Sequence, residues 1–242
     1  MAIKLIVSDI EGCMCGANET PSAWDIEAFS RLKVLLKRIA VPMIFASGRQ
    51  FAYVEALIQA VDIISEFPSI CENGSGFYYP RTKQIEPHPK IAPDKIAVLE
   101  NIKKRFSSFV ESHGGHIEHG REFCMSLIPA PNSLIDDYFL AVVNHITEFN
   151  GLVEITHSYS AVDITLMGIN KGSALIHLLG EIPMDPTNVL AIGDSKNDLS
   201  MFKEIEHSGC PSNAMQEVKD VVKYVSPHAS INGVIDIIET HT

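Results

Sequence analysis

The sequence predicts an α/β fold: a doubly wound parallel sheet, interrupted by a smaller inserted α+β unit. Three observations carry that expectation. Both ends of the chain alternate short continuous apolar runs with amphipathic stretches at helical spacing, the pattern of βαβ units. The middle instead repeats helix–strand–strand twice, which suits an antiparallel sheet. Between the first two regimes lie four prolines, at positions 80, 87, 89 and 93, which read as a hinge or linker. The core is therefore expected over residues 1–82 and 168–242, and the insert over 83–167.

The elements follow in order. Residues 3–8 are short, apolar and partly β-branched, a buried strand. Over 22–39, Ile26, Phe29, Leu32, Leu35, Leu36 and Ile39 recur at helical spacing with charges between them, so this is an amphipathic helix. "VPMIFAS" is a second buried strand, and "GRQFAYVEALIQAV" begins a helix at its end. "SICENGSGFYYP" alternates around Asn73-Gly74, a dipeptide suited to a tight hairpin turn. In the insert, a helix over 93–112 precedes two short strands around Gly120, and a helix over 133–149 precedes strands near 152–157 and 160–167. The opening rhythm then returns, with a helix from "NKGSALIHLLG", a strand at "NVLAIGD" and a helix from "SKNDLSMFKEI".

Candidate chemistry collects where parallel strands end. Asp9, Glu11 and Gly12 follow the first strand, Ser47-Gly48-Arg49 the second, and Asp194, Asn197 and Asp198 follow "VLAIGD". Ligands of open parallel sheets bind outside the carboxyl ends of strands, so these separate segments should converge, with Lys171 joining from a helix start. Hard carboxylate oxygens suit Mg²⁺. The lysine, the serine hydroxyl and amides at helix starts suit phosphoryl oxygens.

These residues resemble the motifs of the haloacid dehalogenase superfamily of phosphatases. The likeness is to the branch whose cap is inserted between the second and third motifs (Cof-like, sucrose-phosphatase-like and phosphoglycolate-phosphatase-like proteins). Asp9-Ile10-Glu11-Gly12-Cys13 resembles "DxDGT", and Phe45-Ala46-Ser47-Gly48-Arg49 the strand–serine motif. Glu72-Asn73-Gly74 resembles the "NG" hairpin, Asn170-Lys171-Gly172-Ser173-Ala174-Leu175 the lysine motif, and Gly193-Asp194-Ser195-Lys196-Asn197-Asp198 the acidic motif. "PSNAMQEVK" resembles the segment that follows. Five motifs in order cover the core, while the insert is matched by position only.

The resemblance implies a Rossmann-like core and a role for each matched residue. Asp9 would be the nucleophile that becomes an aspartyl phosphate. Glu11 would protonate the leaving alcohol and then deprotonate water. Ser47 and Lys171 would hold phosphoryl oxygens, assisted by Asn197, Arg49 and the amides near Gly12 and Gly48. Asp9, Asp194 and the Glu11 backbone carbonyl would ligate Mg²⁺, with Asp198 supporting directly or through water.

Two residues depart from the pattern. Glu11 is one methylene longer than the usual Asp, and displacing a catalytic group by about 1 Å can cost on the order of a hundredfold. It keeps the carboxyl, however, and the sequence resembles the enolase-phosphatase branch in reading "DIEG". Branches that are not phosphatases carry Thr or Ala there. Cys13 stands for a threonine whose hydroxyl helps shape the loop. The expectation is a working pair with altered reach.

Bland readings compete at each position. Asp194 and Asp198 alone suit a helix cap and a first-turn charge, and Ser47 alone suits a strand-end hydroxyl. It is their joint arrival at strand ends that favours a site. "GSG" at 74–76 lacks the third glycine of a dinucleotide loop. His113, His116 and His119 are interrupted by Gly114-Gly115 and read as surface or substrate-facing side chains. Cys13 and Cys15 lack a second pair at zinc spacing. Arg121 suits either a substrate's distal acidic group or a surface ion pair, and Asp163 is a second specificity candidate.

Bulk properties narrow the rest. The 242 residues are 46% hydrophobic and 20% charged, an ordinary globular balance. The net charge of −11 argues against nucleic acid or an acidic membrane as partner, and no apolar run reaches transmembrane length. Five scattered cysteines and no leader-like start suit a reduced, cytoplasmic protein, as monomer or homodimer. The expected activity is Mg²⁺-dependent hydrolysis of a small soluble phosphate ester, a sugar phosphate or phosphoglycolate-like molecule. A phosphotransferase or mutase, and a non-catalytic metabolite sensor, share the same residues.

Overall fold

A computed structural model describes residues 2–16, 24–131, 133–158 and 160–242. The N-terminal third contains β1 (Leu5–Ser8), α1 (Ile26–Ile39), β2 (Met43–Phe45), α2 (Phe51–Val61), β3 (Ser69–Cys71), β4 (Gly76–Tyr79) and β5 (Gln84–Pro87). Next come α3 (Pro93–His113), β6 (His116–Ile117), β7 (Met125–Ile128), α4 (Ile135–His145), β8 (Val153–His157) and β9 (Val162–Leu166). The last stretch holds α5 (Lys171–Glu181), β10 (Val189–Ile192), α6 (Leu199–Phe202), β11 (His207–Cys210), α7 (Gln216–Lys219), β12 (Tyr224–Val225) and α8 (Ser230–His241). The expected start of the first helix at 22–23 lies outside the described residues; α1 itself begins behind Asp25, whose carboxylate accepts from the Ala28 amide at 2.8 Å.

Five parallel strands make the main sheet, in the order β12-β11-β10-β1-β2. Alternation along β1 explains the two-sided winding. Ile6 packs into one cluster with α1, α2 and α8, whereas Leu5 and Val7 pack into another with α5 and Met201 of α6. The strand order reverses between β1 and β10, so a crevice opens beside the ends of those two strands.

The insert has its own sheet, β6-β7-β9-β8, antiparallel throughout. One face carries Met125, Leu127, Val162 and Ile164 against Leu99, Ile102, Phe106 and Phe109 of α3 and Val142 of α4. The segment read as a linker differs from expectation. Gln84–Pro87 pairs with β4, Gly76 opposite Pro87 and Tyr79 opposite Gln84, so the core side runs five residues past the expected boundary at 82. Pro87 is tolerated because it ends an edge strand, where no ladder donor is needed. Among the described residues no helix is long and apolar enough to cross a membrane.

Candidate active site

Asp9 leaves β1 at the crevice, its amide donating to the Ile192 carbonyl of β10 at 2.9 Å. Its described side-chain contacts both fall on Oδ1: the Ile10 amide at 2.7 Å and Lys171 Nζ at 3.0 Å. That arrangement leaves Oδ2 as the oxygen available to react. Lys171 is the first residue of α5, where a cation opposes the helix dipole. Asp198 Oδ1 at 2.7 Å and Asp9 outweigh that cost. Burial works against the Lys171 charge, yet these two carboxylates hold its pKa above the ordinary lysine value. The other oxygen of Asp198 accepts from the amides of Asp194 and Ser195, each at 3.0 Å. Asp198 thus spends both oxygens on shaping the site.

Asp194 stands against the loop after β1. A Cβ on Gly12 would lie 2.0 Å from Asp194 Oδ2, and Gly12 has φ +79°, so only glycine fits this approach. The motif after β11 braces both sides: Asn213 Nδ2 donates to the Gly12 carbonyl at 2.9 Å, and the Met215 amide to the Asp194 carbonyl at 2.8 Å. Ser47 is buried, its hydroxyl accepting from the Arg49 amide at 3.2 Å. Asn197 accepts from Ser195 Oγ at 2.6 Å and donates to Asn73 Oδ1 at 3.1 Å.

Glu11 points its carboxylate to Arg49 Nη2. Arg49 also donates through Nη1 to Glu118 at 3.2 Å and lies 5.0 Å over the Tyr53 ring. Glu118 in turn accepts from Arg121 Nε at 2.6 Å, while Arg121 Nη1 donates to the Gly48 carbonyl. Glu11 thus stands at the end of an ion-pair chain that runs through Arg49 and Glu118 to Arg121.

The electrostatics ask for a cation. Asp9, Asp194 and Asp198 present carboxylate oxygens within 4.8 Å of one another. Burial and then Asp198 push the Asp9 pKa up to about 7, although Lys171 pulls it down. Burial and then Asp9 likewise hold Asp194 well above the usual carboxylate range. Among the described residues, Asp194 Oδ1 is buried without a hydrogen-bond partner. An orphaned hard oxygen amid uncompensated negative charge fits a divalent, oxygen-seeking ion such as Mg²⁺. Among the described residues, Arg49 Nε, in the cleft lining, is also buried and unpartnered, which fits an oxyanion.

One cleft is lined by Asp9, Glu11, Ser47, Gly48, Arg49, Arg121, Asp163, Asp194 and Asn197. Gly12, Lys171 and Asp198 do not line this cleft; Lys171 and Asp198 reach it through Asp9 and the Asp194 amide. His113 is instead stacked on Phe109 at 4.2 Å between ring centroids, and Cys13 and Cys15 are buried in the core. Sequence reading missed Glu118 and Glu72. Glu72 is fully buried, and its carboxylate accepts the amides of Glu122 at 2.9 Å, Phe123 at 2.8 Å and Cys124 at 3.2 Å. Glu72 did carry a signal, as an acid directly beside the "NG" turn; Glu118 carried none.

Comparison with known proteins places the chain. The haloacid dehalogenase-like hydrolase profile matches residues 135–238. Phosphoglycolate phosphatase of Methanosarcina mazei is 32% identical over 240 residues, covering 99% of this chain and 96% of that one. The 5-amino-6-(5-phospho-D-ribitylamino)uracil phosphatase of Bacillus subtilis is 33% identical over 238 residues, 93% of this chain and 90% of that one. The chain belongs to the haloacid dehalogenase-like hydrolases. Solved structures agree on the fold. A Thermoplasma acidophilum protein superposes with a TM-score of 0.79 at 20% identity, covering 100% of this chain and 99% of its own. The sucrose-phosphatase of Synechocystis, solved with sucrose and phosphate, gives 0.73 at 19% identity, with 100% and 98% covered. Within the haloacid dehalogenase-like hydrolases this protein is an enzyme, a phosphoric monoester hydrolase.

Proposed function

We propose that the protein hydrolyses a small-metabolite phosphate ester with Mg²⁺, through an aspartyl phosphate on Asp9. One observation carries the reading: Asp9, fixed through Oδ1 by Lys171, lies beside an unpartnered Asp194 oxygen where the strand order reverses. The names of the relatives, which act on phosphoglycolate and on a ribitylamino-uracil phosphate, support a small soluble ester.

Asp9 Oδ2 attacks phosphorus in line with the leaving oxygen. Lys171 and the Ser47 hydroxyl hold phosphoryl oxygens, helped by Asn197, Arg49 and the amides around Gly12 and Gly48, and so offset repulsion between carboxylate and phosphate. Glu11 gives its proton to the leaving alcohol, which departs, and then takes one from the water that attacks the aspartyl phosphate. That attack returns Asp9 and releases inorganic phosphate. Asp9, Asp194 and the Glu11 backbone carbonyl would hold Mg²⁺, with Asp198 orienting Lys171 and the Asp194 loop. When bound, the ion supplies charge neutralisation to the phosphoryl oxygens and the attacking carboxylate. Residues from about 88 to 167 form a cap that covers the leaving group, hinged at the segment before Pro93 and at Met167-Gly168.

The test is phosphate release from a broad monoester panel with Mg²⁺, run beside Asp9→Asn. The expected result is turnover by the native chain and loss of all but a trace in the variant, because an amide does not attack phosphorus at a useful rate. Retention of more than a few per cent, with reversion by deamidation excluded, would move the nucleophile elsewhere.

A further inference from the structure

We propose that the leaving group of this enzyme is uncharged and hydroxyl-bearing, and that Glu118 enforces this by committing both guanidiniums of the cleft. The inference rests on the phosphatase reading above and departs from the carboxylated substrate that the phosphoglycolate phosphatases' name suggests.

Beyond the phosphate site the cleft is walled by Arg49, Arg121, Glu118, Asp163, Ser158 and Ser160. A carboxylate on the substrate would need a cation whose charge is not already compensated. Arg49 gives Nη2 to Glu11 and Nη1 to Glu118. Arg121 gives Nε to Glu118 and Nη1 to the Gly48 carbonyl, and Asp163 also acts on its charge. Two guanidiniums therefore face Glu118 and Asp163, with Glu11 taking a further share of Arg49. Set against Glu11, Glu118 and Asp163 in the same lining, the two guanidiniums leave no net positive charge for a substrate carboxylate.

These pairs are built in rather than incidental. The Arg121 side chain is 5% exposed. The loop that bears it is gripped at three successive amides by Glu72. Phe123 packs edge-on against Phe51 of the core, with ring centroids 5.8 Å apart. The Glu118 amide donates to the Ser126 carbonyl at 2.8 Å. Glu118 is therefore held from both sides and does not swing away to release a cation. An incoming carboxylate meets Glu118 and Asp163 without an unpaired positive charge, whereas a polyol finds hydroxyls and carboxylate acceptors. Specificity of this kind works by repelling the wrong ligand as much as by binding the right one.

The test compares kcat/KM, with Mg²⁺, for glycerol, erythritol and ribitol monophosphates against 2-phosphoglycolate and 3-phosphoglycerate. The native chain should favour the polyol esters by roughly tenfold or more. Glu118→Gln, and separately Asp163→Asn, should shift the polyol-to-carboxylate ratio towards the carboxylates by roughly tenfold. Where Glu118→Gln fails to fold, Asp163→Asn decides, since it removes the second carboxylate acting on Arg121. Native turnover of the carboxylates as fast as the polyols would overturn this inference and leave the phosphatase reading standing. An unchanged ratio in every folded variant would overturn the assignment to Glu118. Turnover of neither series by the native chain would remove the phosphatase reading, and this inference with it.

Discussion

Asp9 and Asp194 are carboxylates placed where water does not solvate them, and that sets a pH dependence. Asp9 titrates at 3.8 when unfolded and is pushed up to about 7 by burial and by Asp198 in the folded chain. Between those values the unfolded chain has lost a proton that the folded chain keeps. This contribution to stability is therefore full below 3.8 and is lost as pH rises through about 7. Asp194 is shifted in the same direction. In chelator, Asp194→Asn should thus melt higher than the native chain at pH 8, with the difference shrinking towards pH 4. At this chain length ~1 kcal/mol corresponds to about 2–4 °C, so melting curves resolve it. A pH-independent difference would contradict the buried charge cluster. Glu11 permits a sharper test. Glu11→Gln should slow phosphoryl transfer from natural alcohol esters by roughly a hundred- to ten-thousandfold. p-Nitrophenyl phosphate needs no acid, so it should give a burst near one equivalent of nitrophenol and then stall, with acid-stable phosphate on the protein. Near-native steady turnover of both would make Glu11 a bystander.

The β3–β4 turn joins the halves of the site. Glu72, Asn73 and Gly74 have φ values of +52°, +55° and +97°, a strained run for its two non-glycine residues. Each position has a task that accounts for it. Glu72 grips the 122–124 amides, Asn73 accepts from Asn197, and a Cβ on Gly74 would lie 2.3 Å from the Asn170 carbonyl ahead of α5. Glu72→Gln puts an amide group where buried N–H groups need an acceptor, a loss on the order of 1–3 kcal/mol. The expected outcome is a lower melting temperature, together with a higher KM for full-sized esters and a smaller change with p-nitrophenyl phosphate. In the proposed reaction the loop it holds would face the leaving group and not phosphorus. Unchanged stability and an unchanged KM would show that the clamp carries no load.

At the scale of the whole molecule, the proposed reaction brings together the core sheet, the sheet of the insert and an ion. Chelation should stop turnover and Mg²⁺ restore it. Ca²⁺, with its looser and higher coordination, should inhibit by spoiling in-line geometry. Asp194→Ala should raise the Mg²⁺ concentration needed for half-activation at least tenfold, roughly the loss of one charged ligand. An unchanged Mg²⁺ titration in that variant would place the ion elsewhere.

The sequence by itself determined the opening strand–helix rhythm and its return after the middle region, the helix–strand–strand pattern between them, and the strand-end positions of Asp9, Ser47 and Asp194 with Lys171 at a helix start. Those features are local: apolar period, turn chemistry and helix starts are each written in a few adjacent residues. Asp198 was legible as a carboxylate near the site, but its division between Lys171 and two backbone amides was not. Only the tertiary structure decided that Gln84–Pro87 joins the core hairpin, since the prolines signal a break and the pairing partner lies in β4. It alone brought Glu118 onto Arg49, 69 positions away, and Glu72 onto the Glu122 amide, 50 positions away. Such contacts leave no periodicity behind, because either residue alone is an ordinary surface-compatible acid. Their meaning arises only when packing removes the water and puts a guanidinium or a row of amides in its place.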